Sequence, residues 1–420
     1  MLANIVTFDY KNKTMLLAYI AKEMHNDQTY TYTYGYYIDK IANYLEKVGF
    51  KTFDPIKLGD YFISRKIFTK KSNEISFAHS CFYYFFLARR MQDDRDFYND
   101  VVNPNNFYKY DRVIDYYSGL TRKDDHLLAI LYQEFKKYFE PAKPIYDEID
   151  ADDFFTNITS QKNKFIPLVE KMDMNKVVAN KPNETIVEKH IQEVSNERLS
   201  RITDEINNIT YLTPDQFIVI MSRLLRNLDG TESVQLKTEI YSEIIKNTMI
   251  FTIAIKNKLA TYANSHQGQL PPCYDKVKNV ELFFRFMPYA VQTSLYEFMG
   301  TTKLCQVFEN KLKNDFREGK SDIEKFFSIG LLWDTNNLAN TKMMKTFIKS
   351  VGKNSARDYI TFKLYYNYMY KVKSGSAEED EYLSLLSSLK SKRYPLSLIK
   401  QNMINSDLKK IKKEREENKR

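Results

Sequence analysis

The sequence is poor in glycine, proline and tryptophan. Its 420 residues include 11 glycines, 11 prolines and one tryptophan, whereas glycine alone usually makes up about 7% of a chain, or about 30 residues at this length. Few glycines disfavour a loop-rich β-sandwich or barrel, and they disfavour a domain built around glycine-rich phosphate loops. The length is sufficient for two or three domains with sizeable cores.

Cysteine and long apolar runs are also scarce. The three cysteines, Cys81, Cys273 and Cys305, are too far apart in sequence for a metal knuckle or a redox pair, and their odd number argues against a secreted disulfide framework. The longest apolar runs, at residues 81–88 and 249–255, are much shorter than the ~18 residues of a membrane span. The first residues lack the pattern of a secretion signal. We therefore expect a cytoplasmic protein with no membrane partner.

Motifs of common catalytic and cofactor sites are missing as well. The closest approach to a phosphate-binding loop, at residues 351–355, lacks the first glycine and has Asn where Ser or Thr would bind Mg²⁺. The five histidines have no second ligand at a metal-binding spacing. We therefore predict no catalytic residue, no metal site and no cofactor in this chain. An enzyme with dispersed catalytic residues remains the third alternative, because such residues leave no motif.

Lysine, in contrast, is abundant. The chain has 63 Lys and Arg residues against 54 Asp and Glu residues, which gives a net charge of +9, and this excess is compatible with nucleic-acid binding. Two groups of lysines are candidate contacts to phosphates, one on a predicted hairpin and one at the charged C-terminus. The first comprises Lys66, Lys70 and Lys71, and the second comprises Lys409, Lys410, Lys412 and Lys413.

Hydrophobic spacing predicts a mainly α fold that begins with a small winged-helix-like unit at residues 1–78. Apolar positions three and four apart predict helices at 15–24, 38–48 and 56–64, and Gly49 is expected to end the second. The Tyr- and Thr-rich residues 28–37 would also suit a strand. Strands are predicted at 67–69 and 74–77, with residues 70–73 as their turn. Three helices followed by a hairpin is the order of a winged helix.

The rest of the chain is predicted to be helical, with one change of character. Aromatic-rich residues 79–91 start a helical segment at 79–140 that includes helices at 108–118 and 124–139. Prolines and clustered acidic residues predict a connector with short helices at 141–210, including one at 188–206. An α-solenoid or irregular helical bundle is expected at 211–408, and a charged tail at 409–420. Thr213, Pro214 and Gln216 form a helix-start pattern with a capping box.

The segment at residues 75–91 resembles the one that follows the NTPase core of STAND NTPases, especially the NACHT-like group of bacterial immune and signalling proteins. In that group a strand ending in Phe is followed by His-x-Ser/Thr-Phe and an aromatic-rich helix that ends in Ala and a basic residue. The positions that fit are Phe77, His79, Ser80, Phe82, Tyr84, Phe85, Phe86, Ala88 and Arg90.

The residues of this motif also have a physical interpretation that does not depend on the family. Phe77 should end its strand facing the core, and a ring nitrogen of His79 should bond a backbone group at the helix start. Phe82, Phe85 and Phe86, three and four apart, should form one apolar stripe. Cys81 is expected to be a buried, inert thiol among these rings.

The resemblance implies an order of effector, NTPase, winged helix and helical sensor, with this chain starting near the end of the NTPase module. The phosphate loop, the Mg²⁺-binding aspartate and the sensor arginine of the family would then lie upstream, so ATP hydrolysis is not carried over. In these proteins a winged-helix histidine can contact nucleotide phosphates. His79 follows the predicted wing, and it is therefore only a weak candidate for that contact.

Two functions follow as alternatives. The first is a non-catalytic regulatory or sensor portion of a STAND-type NTPase, whose 211–408 domain recognises a protein or nucleic-acid trigger, as in antiphage defence. Its partners would be an NTPase or effector module, in the same or a separate chain, and an oligomer is possible. The second is a stand-alone basic helical protein that binds nucleic acid through the winged helix and the tail.

Overall fold

The structure of the protein is a computed structural model, which describes residues 8–50, 52–149, 151–155, 212–274, 277, 279–335, 337–338, 340–351, 355–393 and 398–417. These residues divide into two compact units. Unit 1 contains residues 8–134, 212–220 and 227–231, and unit 2 contains residues 135–155, 221–226 and 232–417. The described residues are mostly helical with one small sheet, which confirms the predicted mainly α fold class.

Unit 1 is built from short helices around a three-stranded sheet. Helix α1 packs along α4, and α4 packs in turn along α6. In chain order the elements are α1 (Tyr10–Asn26), β1 (Tyr32–Thr33), α2 (Tyr34–Lys47), α3 (Pro55–Ser64), β2 (Phe68–Lys71), β3 (Glu74–Phe77), α4 (Ser80–Asp93), α5 (Arg95–Val101), a 3-10 turn (Phe107–Tyr110), α6 (Asp111–Thr121) and the first part of α7 (Asp125–Phe139).

The sheet is antiparallel, with strand order β1-β3-β2. Its register pairs Phe68 with Phe77 and Lys71 with Glu74. The hairpin turn is therefore shorter than predicted, since Lys70 and Lys71 belong to strand β2 and only residues 72–73 connect the strands. Ser72 has a φ of 53°, the left-handed conformation typical of two-residue hairpin turns.

Local capping explains most helix boundaries in unit 1. Only two residues of the Tyr- and Thr-rich segment pair as a strand, because the Thr33 hydroxyl accepts the Tyr36 amide at 3.4 Å and starts α2. Asp54 caps α3 in the same way, followed by Pro55. Gly49 follows α2 with a φ of 78°, as predicted. Helix α5 was not predicted, and α6 starts at Asp111 rather than at residue 108.

Unit 2 is helical throughout its described residues. Its core includes Trp333, which is 1% exposed and donates its Nε1–H to the Met344 sulfur at 3.2 Å. The elements are the rest of α7, a 3-10 turn (Glu140–Ala142), α8 (Lys143–Asp147), α9 (Ala151–Phe155), part of α10 (Pro214–Asn227), α11 (Val234–Ser265), 3-10 turns (Pro272–Tyr274 and Thr302–Leu304), α12 (Val280–Met299), α13 (Cys305–Arg317), α14 (Asp322–Asp334), α15 (Thr341–Ser350), α16 (Ser355–Tyr370), α17 (Ala377–Arg393) and α18 (Leu398–Glu417).

Several predicted boundaries differ from the observed ones. The 78/79 limit lies inside unit 1, and the 408/409 limit lies inside α18, so that residues 409–417 continue a helix. The connector contains two short helices up to residue 155, and its predicted helix at 188–206 lies outside the described residues. Helix α10 spans its predicted range, and the Gln216 side-chain amide donates to the Tyr108 carbonyl at 2.8 Å.

Candidate interaction site at the three-stranded sheet

The family-like motif begins in the core of unit 1. Phe77 ends β3 and is 3% exposed. The centre of its ring lies 4.3 Å from that of Phe68 across the hairpin and 5.9 Å from that of Phe86 on α4. These contacts fix the hairpin against α4, since stacked aromatic pairs add to the free energy gained by burial.

The buried face of α4 differs from the predicted stripe. Phe86 is buried, but Phe82 and Phe85 are only half-buried, and the deepest positions include Leu87 and Met91, each 1% exposed. Tyr83 and Tyr84 are also buried in this face. The reason is that α4 packs on both α1 and α6, so that two neighbouring faces of the helix are covered.

His79 and Cys81 occupy positions other than those expected. His79 precedes α4 as its N-cap residue, but its side chain makes no capping hydrogen bond and is exposed; its ring lies 5.4 Å from that of Phe82. Cys81 is exposed, so the prediction of a buried thiol is wrong. The exposed imidazole remains accessible to an anionic ligand, and its contact with a nucleotide phosphate stays a prediction.

Arg90, the basic residue near the end of the motif, is tied to the next helix. Its Nε and Nη2 atoms lie 3.1 and 3.0 Å from Oδ2 of Asp94. Asp94 also caps α5, where its Oδ1 accepts the Phe97 amide at 3.0 Å. Arg90 thus stabilises the junction between α4 and α5, and it has a structural partner in this conformation.

The hairpin lysines lie in strand β2 or just before it and are exposed. Lys66 precedes β2 with a φ of 59°, and Lys70 and Lys71 end the strand. The Lys70 ammonium lies 3.8 Å from the centre of the Tyr34 ring, whose hydroxyl donates to Asp60. This cation–π contact orients the ammonium while leaving it near solvent.

The C-terminal lysines belong to α18 in unit 2 and differ among themselves. The Lys409 ammonium lies 3.1 Å from Oδ1 of Asp380, and the Lys413 ammonium lies 3.8 Å from Oε1 of Glu417. Lys410 is exposed. Lys412 is only 1% exposed and lies 3.6 Å from Glu379, which is itself buried. This burial removes Lys412 from the ammonium groups that could reach a phosphate, and it corrects the predicted set.

Exposed apolar side chains on unit 1 were missed in the sequence. Ile56 on α3 is 52% exposed, and Tyr10 and Met15 on α1 are 77% and 45% exposed. Next to Ile56 on α3 lie the exposed Lys57 and, one turn on, the exposed Asp60. The Asp54-Pro55 pair, an N-cap residue followed by proline at the first helical position, could have indicated that Ile56 lies in the first turn of α3.

One comparison with known proteins matches this region of the chain. The model of the family Novel STAND NTPase 4 matches residues 29–87, which include β1, α2, α3, the hairpin and the first half of α4. This is a STAND NTPase-related region of the chain. Neither a curated protein nor a solved structure matches the chain significantly.

Among the described residues, no group of three His, Cys, Asp or Glu side chains is placed to hold a metal ion. In the same part of the chain, no helix combines the length and the apolar character needed to cross a bilayer.

Proposed function

We propose that this chain is the regulatory and sensor portion of a STAND-type NTPase. The observation that carries the proposal is the match at residues 29–87, because it falls on one compact region rather than on scattered elements. That region and α1 together follow the order helix, strand, helix, helix, strand, strand, with sheet order β1-β3-β2. This order is that expected for a winged helix, and it supports the winged-helix fold that we propose for the region.

The helical unit 2 is the proposed sensor. Helices without a described sheet, joined mostly by short turns as in a solenoid or irregular bundle, offer a large variable surface for recognising a foreign protein or nucleic acid. In this proposal the trigger binds to unit 2, and the winged helix carries the signal to an NTPase and effector module in the same or a separate chain. In this proposal the chain acts in the cytoplasm and carries out no chemistry of its own: no catalytic step and no cofactor is assigned to it, and defence against phage is the proposed context.

The test starts with the coding DNA around this chain. We expect a phosphate loop in the same reading frame or in an adjacent gene, and in the second case the two products should co-purify as a complex or oligomer. A chain with no such module encoded within about a domain's length would contradict the proposal.

The alternative function is nucleic-acid binding by a stand-alone protein. The exposed Lys66, Lys70 and Lys71 on one hairpin favour it. The exposed side of α3 does not, because Ile56 and Asp60 would face the bases if this helix entered a groove. We therefore rank a protein-facing role for the winged helix first.

Salt dependence separates the two functions. If the three hairpin lysines contact phosphates, the affinity for duplex DNA should fall with salt with a log–log slope of about −3. Replacing all three with Glu should abolish that slope, whereas the same change at three other exposed lysines, Lys11, Lys342 and Lys373, should not. Equal effects of the two triple variants would exclude a hairpin-specific site.

A further inference from the structure

The described first part of the connector, residues 143–149 and 151–155, contains two helices that are too short to be stable alone. Helices α8 and α9 have five residues each, whereas isolated helices of fewer than about 12 residues are marginal in water. Helix α8 packs on α11, and α9 packs on α12 and α14. The helical structure of this segment therefore depends on its docking within unit 2.

The first anchor is the hydroxyl of Tyr146, which donates a hydrogen bond to the Glu324 carboxylate. Glu324 also accepts from the Lys311 ammonium, which donates in addition to Asp315. Lys311, Asp315 and Glu324 are 4%, 1% and 1% exposed. We call these three residues the charge cluster; it contains one ammonium and two carboxyl groups.

The charge cluster is incompletely compensated. The Oδ2 atom of Asp315 is buried without a hydrogen-bond partner, and burial raises the pKa of this carboxyl to about 6. A buried carboxyl oxygen without a hydrogen-bond partner is stabilised when water reaches and hydrates it. Undocking of Tyr146 opens the Glu324 side of the cluster, so the gain in hydration offsets part of the lost contacts.

The second anchor is apolar. Phe154 and Phe155 are 0% and 2% exposed, and their rings lie 6.1 Å from Phe327 and 5.1 Å from Phe326 on α14. The Lys256 ammonium on α11 donates to the Phe154 carbonyl at 3.0 Å. This anchor holds the end of the segment in the core and sets the main resistance to undocking.

We propose that residues 143–155 form a latch that docks on unit 2 and is released as a unit while the helices beneath it stay folded. The latch stands on contacts within unit 2 and does not require the proposed function. If that function holds, release of the latch is the conformational change in unit 2 that binding of the trigger controls.

The test is native-state hydrogen exchange of the full chain, followed by mass spectrometry in low concentrations of urea. Peptides from 143–155 should exchange through an opening that depends less on urea than the opening of α13 and α14. In Tyr146→Phe we expect at least about tenfold faster exchange in the latch, because a hydrogen bond to a charged group is lost, with less than twofold change in α14.

The matched control is Tyr366→Phe, which removes a hydroxyl from a half-buried tyrosine on another helix and should leave latch exchange unchanged. Three results would overturn the proposal: latch and α14 opening together in the wild type, equal acceleration of both in Tyr146→Phe, or no acceleration at all. Failure to find an NTPase partner would refute the proposed function and leave this result intact.

Discussion

Replacement of Lys311 by Met should destabilise unit 2 strongly. The Lys311 ammonium bonds both Asp315 and Glu324, and all three side chains are almost completely buried. Met has a similar length but no charge, so the variant removes the cation without creating a large cavity. It leaves two buried carboxylates without their counter-ion.

The expected loss is about 3–5 kcal/mol of unfolding free energy near pH 7.5, as for other buried ion pairs that lose one partner. The loss should shrink in acid. In the wild type, burial raises the pKa of Asp315, whereas the pKa of Glu324 is lowered by the Lys311 ammonium despite its burial. Without that ammonium, burial and mutual repulsion should raise the folded-state pKa of both carboxyls above their unfolded values near 4, so the folded variant takes up protons as the pH falls. The destabilisation is therefore greatest above the folded pKa values and diminishes below about pH 6.

Urea denaturation followed by tryptophan fluorescence measures this directly, because Trp333 is the single tryptophan and lies in the core of unit 2. The matched variant is Asp315→Asn, which removes a carboxyl whose pKa is raised to about 6. It should stabilise unit 2 at pH 7.5, because burial disfavours the charged form of this carboxyl in the folded state. A loss below about 1 kcal/mol in Lys311→Met, or the same loss at pH 5 and 7.5, would refute the reasoning.

Three further predictions concern other parts of the core. Phe77→Ala should cost unit 1 about 3–5 kcal/mol and speed amide exchange in the hairpin, because a buried ring is lost; slow exchange would contradict it. Burial lowers the pKa of His25 to about 4, so the unfolded state takes up a proton at a higher pH than the folded state does. Unit 1 should therefore lose about 2 kcal/mol of stability between pH 7 and pH 5. His25→Gln should remove this pH dependence of the unfolding free energy, as measured by amide hydrogen exchange in denaturant. Gly330→Ala should cost unit 2 about 1–3 kcal/mol by fluorescence, because its Cβ would lie 2.8 Å from Cδ of the fully buried Gln292; a neutral effect would show that α12 can move away.

Local signals in the sequence predicted those parts of the fold that local contacts decide. Gly49 after α2, the helix from Pro55 and the strand at 74–77 all follow from capping, turn and alternation rules. The hairpin turn was misplaced by two residues, since lysines fit both a turn and an exposed edge strand.

Burial of charge could not be predicted in the same way. Lys412 lies in a run of charged residues, which usually indicates a solvated surface, but Glu379 on a different helix holds it inside. Likewise, Cys81 is surrounded by aromatic residues in sequence, but the phase of α4 is set by its packing partners α1 and α6. Only the tertiary arrangement decides which side of such a helix is exposed.

The most direct test of the proposed function is ATP turnover by the phosphate-loop module encoded with this chain, measured with and without the chain. Where both lie in one reading frame, the comparison is the full-length protein with and without residues 1–420 of the present sequence. The regulatory proposal predicts that the chain changes the rate several-fold and that addition of the trigger reverses the change. An unchanged rate in a preparation where the two are shown to be in complex would contradict it.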